Sequence, residues 1–206
     1  MSFTIYDASV PVFVHSMTSI QAWLDKALAE GKSETALLES RLAPDMRPFP
    51  AQIQMASDSA KNAVARLAGM SAPAMPDVEA SFAELKDRCR RTIAFIESIG
   101  RSALEGAEER EVELRFPNGG GYRFNGRDYL TGFALPNFFF HVTMTYALLR
   151  AQGVAVGKPD FLQHLGPLRR RRLASFTKSG LSSAIGRSLL PLGTLSRNPV
   201  PSGGYA

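Results

Sequence analysis

The chain has 206 residues, 45% of them apolar, which is enough to bury one real core and fits one domain plus an appendage. Its formal charge of +5 is unevenly distributed. Residues 167–206 carry seven basic side chains (Arg169, Arg170, Arg171, Arg172, Lys178, Arg187 and Arg197) and no acidic one; removing those seven from the 24 basic residues leaves 17 against 19 acidic in residues 1–166. A lone cysteine, Cys89, excludes an internal disulfide, and no apolar run approaches the roughly 20 residues of a membrane span.

In chain order, the first predicted helix opens at Pro11, with Ser9 or Asp7 as cap, and buries Phe13, Met17, Ile20, Leu24 and Ala27 at alternating steps of four and three before Gly31 stops it. His15 falls on the opposite line with Ser19, Ala22 and Lys26, the expected solvent face. The proline-rich "RLAPDMRPFP" reads as an extended linker. A second helix follows with the stripe Phe49, Ile53, Ala56, Ala60, Ala63 and Leu67, ending at Gly69. A third, capped by Asp77, carries Val78, Phe82, Leu85, Cys89, Ile93 and Ile96. Then the period changes to two: "EVELRF", "PNGGG" and "YRFNG" read as strand, turn and strand, a small β-hairpin. The fourth helix runs from about Pro136 to just before Gly153. The fold class expected is all-α, a four-helix bundle with a β-hairpin between helices three and four, over residues 1–166. Residues 167–206, rich in Ser, Gly, Pro and Arg, read as a disordered basic tail.

The fourth helix carries the most informative stretch, "LPNFFFHVTMTYALLR". At 100° per residue, Asn137, His141 and Thr145 share one line between apolar neighbours, apart from the solvent-facing Thr143 and Arg150. A buried imidazole needs a partner, so His141 is either a satisfied core residue or a metal ligand or proton carrier in a central pocket lined by Asn137 and Thr145. Asp58, opposite the apolar stripe of the second helix but on a charge-poor face, is either a solvated surface carboxylate or the candidate partner or second metal ligand. His164 is expected at the surface and Cys89 in the core as a small hydrophobe. No phosphate-cradling glycine loop, H-E-x-x-H or C-x-x-C is present. "RRRRLAS" in the tail suggests attachment to nucleic acid or anionic lipid, or a basic-directed phosphorylation site at Ser175. The tail lacks the interleaved aromatics of a single-strand binder, and a solvated extension that binds neither nucleic acid nor anionic lipid is the reading expected.

The segments "YDASVPVF", "RLAPDM", "QIQMASDSAK" and "YLTGFALPNFFFHVTMTYALLRAQGVAVGKPDFL", in this order over residues 3–165, resemble a bacterial and fungal family of unknown function within the DinB/YfiT-like superfamily. The resemblance implies a four-helix bundle, frequently dimeric. It also implies a divalent metal, zinc or nickel, held by one histidine of the second helix and an H-x-x-x-H pair of the fourth, as in thiol-dependent transferases and isomerases. Carried over, His141 matches one ligand of that pair. Thr145 stands where the other would be, and the second helix offers Asp58 in place of a histidine.

Three functional readings follow. One is a metal-dependent enzyme acting on a small thiol or electrophile around His141. The second is a non-catalytic homodimeric bundle that binds a small apolar ligand or a protein partner. The third is tail-mediated binding to acidic partners. The N-terminal "MSFTIYDASVPVFVHSM" lacks a basic start and a clean apolar stretch, so the cytoplasm is the expected compartment.

Overall fold

A computed structural model of the chain describes residues 3–116 and 118–166; the basic segment 167–206 and Ser175 lie outside the described residues. The first helix, α1, spans Ile5–Ala29 and starts earlier than Pro11 suggested. Its cap is Thr4, whose hydroxyl accepts from the Asp7 backbone N–H while the Asp7 carboxylate accepts from the Thr4 backbone, a reciprocal box. Asp7 is thus the third helical residue rather than the cap, and Ser9 is buried, its hydroxyl donating to the Ile5 carbonyl. Pro11 lies inside the helix, where it deletes one backbone hydrogen bond without ending it. The Thr4–Asp7 box holds the first turn closed ahead of it.

A short α2 (Glu34–Glu39) precedes the linker, and α3 runs over Phe49–Leu67 with its whole predicted stripe buried. The next helix, α4 (Phe82–Ser98), begins five residues after Asp77. Ser81 caps it through the Glu84 N–H, and Val78 is 76% exposed instead of opening the stripe. Phe82, Leu85, Cys89 and Ile96 are buried as the period requires.

The hairpin pairs β1 (Glu111–Arg115) with β2 (Gly121–Asn125) antiparallel, Val112 opposite Phe124 and Leu114 opposite Tyr122. Val112 and Leu114 face the core, and the Phe124 ring meets Tyr129 and Phe133 at 6.0 and 6.4 Å between centroids.

The last long helix begins ten residues earlier than Pro136. Backbone angles stay helical from α5 (Gly126–Tyr129) through a widened turn, Leu130–Ala134, into α6 (Leu135–Ala151). In that turn the Leu135 N–H reaches the Leu130 carbonyl, five residues back. Pro136 is the physical cause: its ring crowds the carbonyl four residues earlier and it donates no hydrogen bond, so the helix widens by one residue there. The C-terminal end is closed by Gly153 at φ 76°, with Val154 N–H donating to the Leu149 carbonyl at 2.9 Å.

Four of these helices share one core. α1 packs against α4 and α6, and α3 packs against α4 and α6, so each long helix has two long neighbours. Phe13, Met17, Phe49, Ile53, Leu85, Phe138 and Val142 fill the space between them. Phe13 and Phe138 meet edge to face at 4.8 Å between centroids.

A segment formed by α7 (Lys158–Phe161) and the turn Gln163–Leu165 lies on the side of α1 expected to face solvent. Trp23 Nε1 donates to the Asp160 carbonyl at 3.2 Å and its ring stacks on Phe161. Lys26 pairs with the Asp160 carboxylate at 3.1 Å, and Gln163 donates to the Ser19 hydroxyl at 3.1 Å. His15 stacks on His164, with centroids 4.6 Å apart and planes within 10°. The line His15, Ser19, Trp23 and Lys26 is therefore a second docking stripe. Its polar members read as solvent-facing because the covering segment is itself polar. Among the described residues, no helix is long and apolar enough to cross a membrane.

Candidate functional site

Asn137, His141 and Thr145 do share one line of α6, and the line faces α3. His141 is 8% exposed and Thr145 fully buried. Gln52, in the first turn of α3, settles the imidazole's tautomer. Its amide N–H donates to the Arg47 carbonyl at 3.0 Å, which turns its Oε1 toward His141 Nδ1, also at 3.0 Å. A carbonyl can only accept, so the network assigns the proton to Nδ1 and leaves Nε2 as a lone-pair acceptor. Among the described residues no hydrogen-bond partner meets Nε2. The exposed Phe140 ring stands nearly perpendicular to the imidazole, 5.1 Å between centroids.

Burial lowers the His141 pKa below the ordinary imidazole value, because the charged form would lose its hydration. The folded state therefore holds fewer protons than the unfolded chain between its own pKa and about 6.5. His141 contributes full stability above pH 6.5 and loses it as pH falls through that window. Denaturant unfolding at pH 7.5 and 5.5 should show a stability drop on acidification that is smaller in His141→Gln. An unchanged drop would mean that the imidazole is not desolvated. His15 is shifted the same way, by burial and then by His164, so His15→Gln is the matching comparison.

The other candidates are committed elsewhere. Thr145 Oγ1 donates to the His141 carbonyl at 3.0 Å, an intrahelical bond one turn back. Asn137 Nδ2 donates to Ser59 Oγ at 2.7 Å. Asp58 has no contact with His141: its Oδ1 accepts from Arg88 at 2.9 Å and meets Lys61 Nζ at 3.1 Å. Cys89 is sealed in the core, and burial pushes its thiol up to about 12, so it is no nucleophile at neutral pH.

The composition of α4 hides a second polar centre. Arg88 sits on the buried stripe between Leu85 and Thr92 and is completely enclosed. Its guanidinium pairs with Asp58, with Asp77 at 3.0 Å and with Glu79 at 3.0 Å, and it donates to the Pro76 carbonyl at 3.1 Å. Glu79 is itself 4% exposed. Burial raises its carboxyl, but hydrogen bonds from Gln54 and Arg88 outweigh that and hold it below the usual carboxylate range. This cluster fastens the irregular segment 70–81 over α3 and α4. An arginine at a core position of the α4 stripe was its sequence signal. Gln52, beside Ile53 on the stripe of α3, was the corresponding signal for His141.

The zinc or nickel that the superfamily resemblance implies does not suit these side chains. Thr145 and Asn137 offer only neutral oxygens, Asp58 is paired with Arg88 and Lys61, and one imidazole nitrogen remains. Among the described residues no three His, Cys, Asp or Glu side chains gather into a metal cluster. A groove of about 520 Å³ opens instead at the start of α1, lined by Tyr6, Ala8, Arg101, Leu104, Arg127 and Leu130 among others, and none of the predicted site residues lines it.

Paired α1–α4 and α3–α6 helices with a polar seam at His141 and a hairpin after α4 make a mostly helical domain of the kind the DinB-like resemblance implies. Comparison with known proteins agrees: residues 5–162 match the family described as domain of unknown function DUF1993, and the chain belongs to that family. It is also similar to the crystal structure of a DinB family member protein from Shewanella denitrificans. The two are 34% identical with a TM-score of 0.70, over 77% of this chain and 91% of that one. Among curated proteins none matches.

Proposed function

We propose that α1, α3, α4 and α6 form a DinB-type four-helix bundle that binds a small ligand through the neutral imidazole of His141, without a resident metal. The observation that carries this reading is the chain Arg47 carbonyl, Gln52 amide, His141 Nδ1. It spends one nitrogen on orientation and leaves Nε2 as an acceptor on an imidazole that the apolar Phe140 ring contacts. The ligand class is a small, largely apolar molecule with one O–H or N–H donor. The metal-dependent thiol chemistry of the superfamily would need further ligands at the positions held by Thr145 and Asp58. Homodimerisation belongs to the same proposal and is read by light scattering.

The test uses full-length protein purified without a histidine tag. Zinc and nickel measured by mass spectrometry should be the same in wild type and in His141→Ala. A set of simple phenols and primary amides should include members that move the His141 Nε2 resonance and not the spectrum of His141→Ala. Stoichiometric metal that disappears in His141→Ala would overturn the proposal in favour of a metalloenzyme. No response of Nε2 to any donor would remove the ligand site.

A further inference from the structure

The chain has three histidines, and two of them meet far from the bundle's polar seam. We infer that His15 and His164 form a two-imidazole site for a borderline divalent cation such as zinc, nickel or copper, which would staple the C-terminal segment to α1. The juxtaposition is built rather than incidental. Gln163, the residue before His164, is tied to Ser19, one turn beyond His15. Trp23 and Lys26 hold Asp160 and Phe161 further along the same line. Four contacts therefore hold the segment that carries His164 against the line that carries His15 and leave the exposed rings to adjust.

The stacked rings already lie 4.6 Å apart between centroids. Metal–imidazole bonds of about 2.0–2.1 Å to two rings demand that one nitrogen of each turn toward a shared point, which tilting about the terminal side-chain torsions supplies. Water would complete the coordination shell. Among the described residues no carboxylate joins them in a cluster, so the donor set is nitrogen alone. Such a set selects copper, nickel and zinc over magnesium and calcium. This site is independent of His141, and neither reading requires the other.

The experiment titrates zinc, and separately nickel, into untagged full-length protein by calorimetry, with His15→Gln, His164→Gln and His141→Gln in parallel. Wild type and His141→Gln should bind about one ion per chain, and affinity should fall at least tenfold in either of the other two. Paramagnetic broadening by nickel in an amide spectrum should centre on residues around 15 and 164 and spare those around 141. Equal affinity in all four proteins, no binding to wild type, or broadening centred on His141 would each overturn the site. Because both histidines are exposed, the substitutions leave the core intact; an unchanged amide spectrum before metal is added confirms it.

Discussion

Replacing Arg88 with methionine should lower stability by about 3–5 kcal/mol, measured by urea unfolding at pH 7. Methionine fills much of the same volume, so the loss is electrostatic. Glu79, 4% exposed, would be left charged without its guanidinium, and the Pro76 carbonyl and Asp58 would lose donors. Breaking one side of a buried pair costs far more than the pair contributes net, because the surviving charge remains desolvated. The double variant Arg88→Met, Glu79→Gln should accordingly recover part of the loss. Arg88→Lys should not restore wild-type stability, since an ammonium cannot serve three carboxylates from a planar fork. A loss under about 1 kcal/mol in Arg88→Met would show that the cluster is solvated and contributes little.

Trp23→Ala is the second large effect, about 3–5 kcal/mol for removing a buried indole. The side chain is 1% exposed and touches Tyr146 and Phe161 with its ring faces and edges. Its loss should also free the segment 158–165, seen as faster hydrogen exchange at the amides of Phe161 and Leu162, which donate to Gly157 and Lys158. Trp23→Phe retains a ring but not the N–H to Asp160, so it should fall between the two. Destabilisation with unchanged exchange at 161 and 162 would mean that Lys26 and Ser19 alone hold the segment.

The helices were legible wherever one face is uniformly apolar. Phe13 to Ala27 and Phe49 to Leu67 follow the period residue for residue, because burial against two neighbours leaves no room for exceptions. Helix ends were less legible. Thr4 and Ser81 are ordinary residues until the chain geometry shows which N–H they meet, and Pro136 looked like a start because a widened turn has no sequence period of its own. At the candidate site, the line Asn137, His141 and Thr145 was readable from 100° steps. Their partners were not, since hydrogen bonds across 78 or 89 residues depend on how α3 and α6 are set against each other. Phe140, one of the apolar neighbours of that line, is 51% exposed, because nothing in the described chain packs over it. Asp58 was misplaced for the same reason: a wheel gives its angle on α3 but not that Arg88 of α4 lies opposite.

The covering of α1 also sets an order on the growing chain. Its apolar stripe waits for α4 and α6, and its second stripe waits for residues 158–165. Nearly all the partners of the first helix to leave the ribosome are therefore among the later segments to emerge. During vectorial synthesis Trp23 remains uncovered until most of the described chain has been made, because its partners lie at 146, 160 and 161. A nascent chain arrested before residue 158 should accordingly hold Trp23 accessible to a chaperone or an iodide quencher, whereas one that has released residue 165 should not.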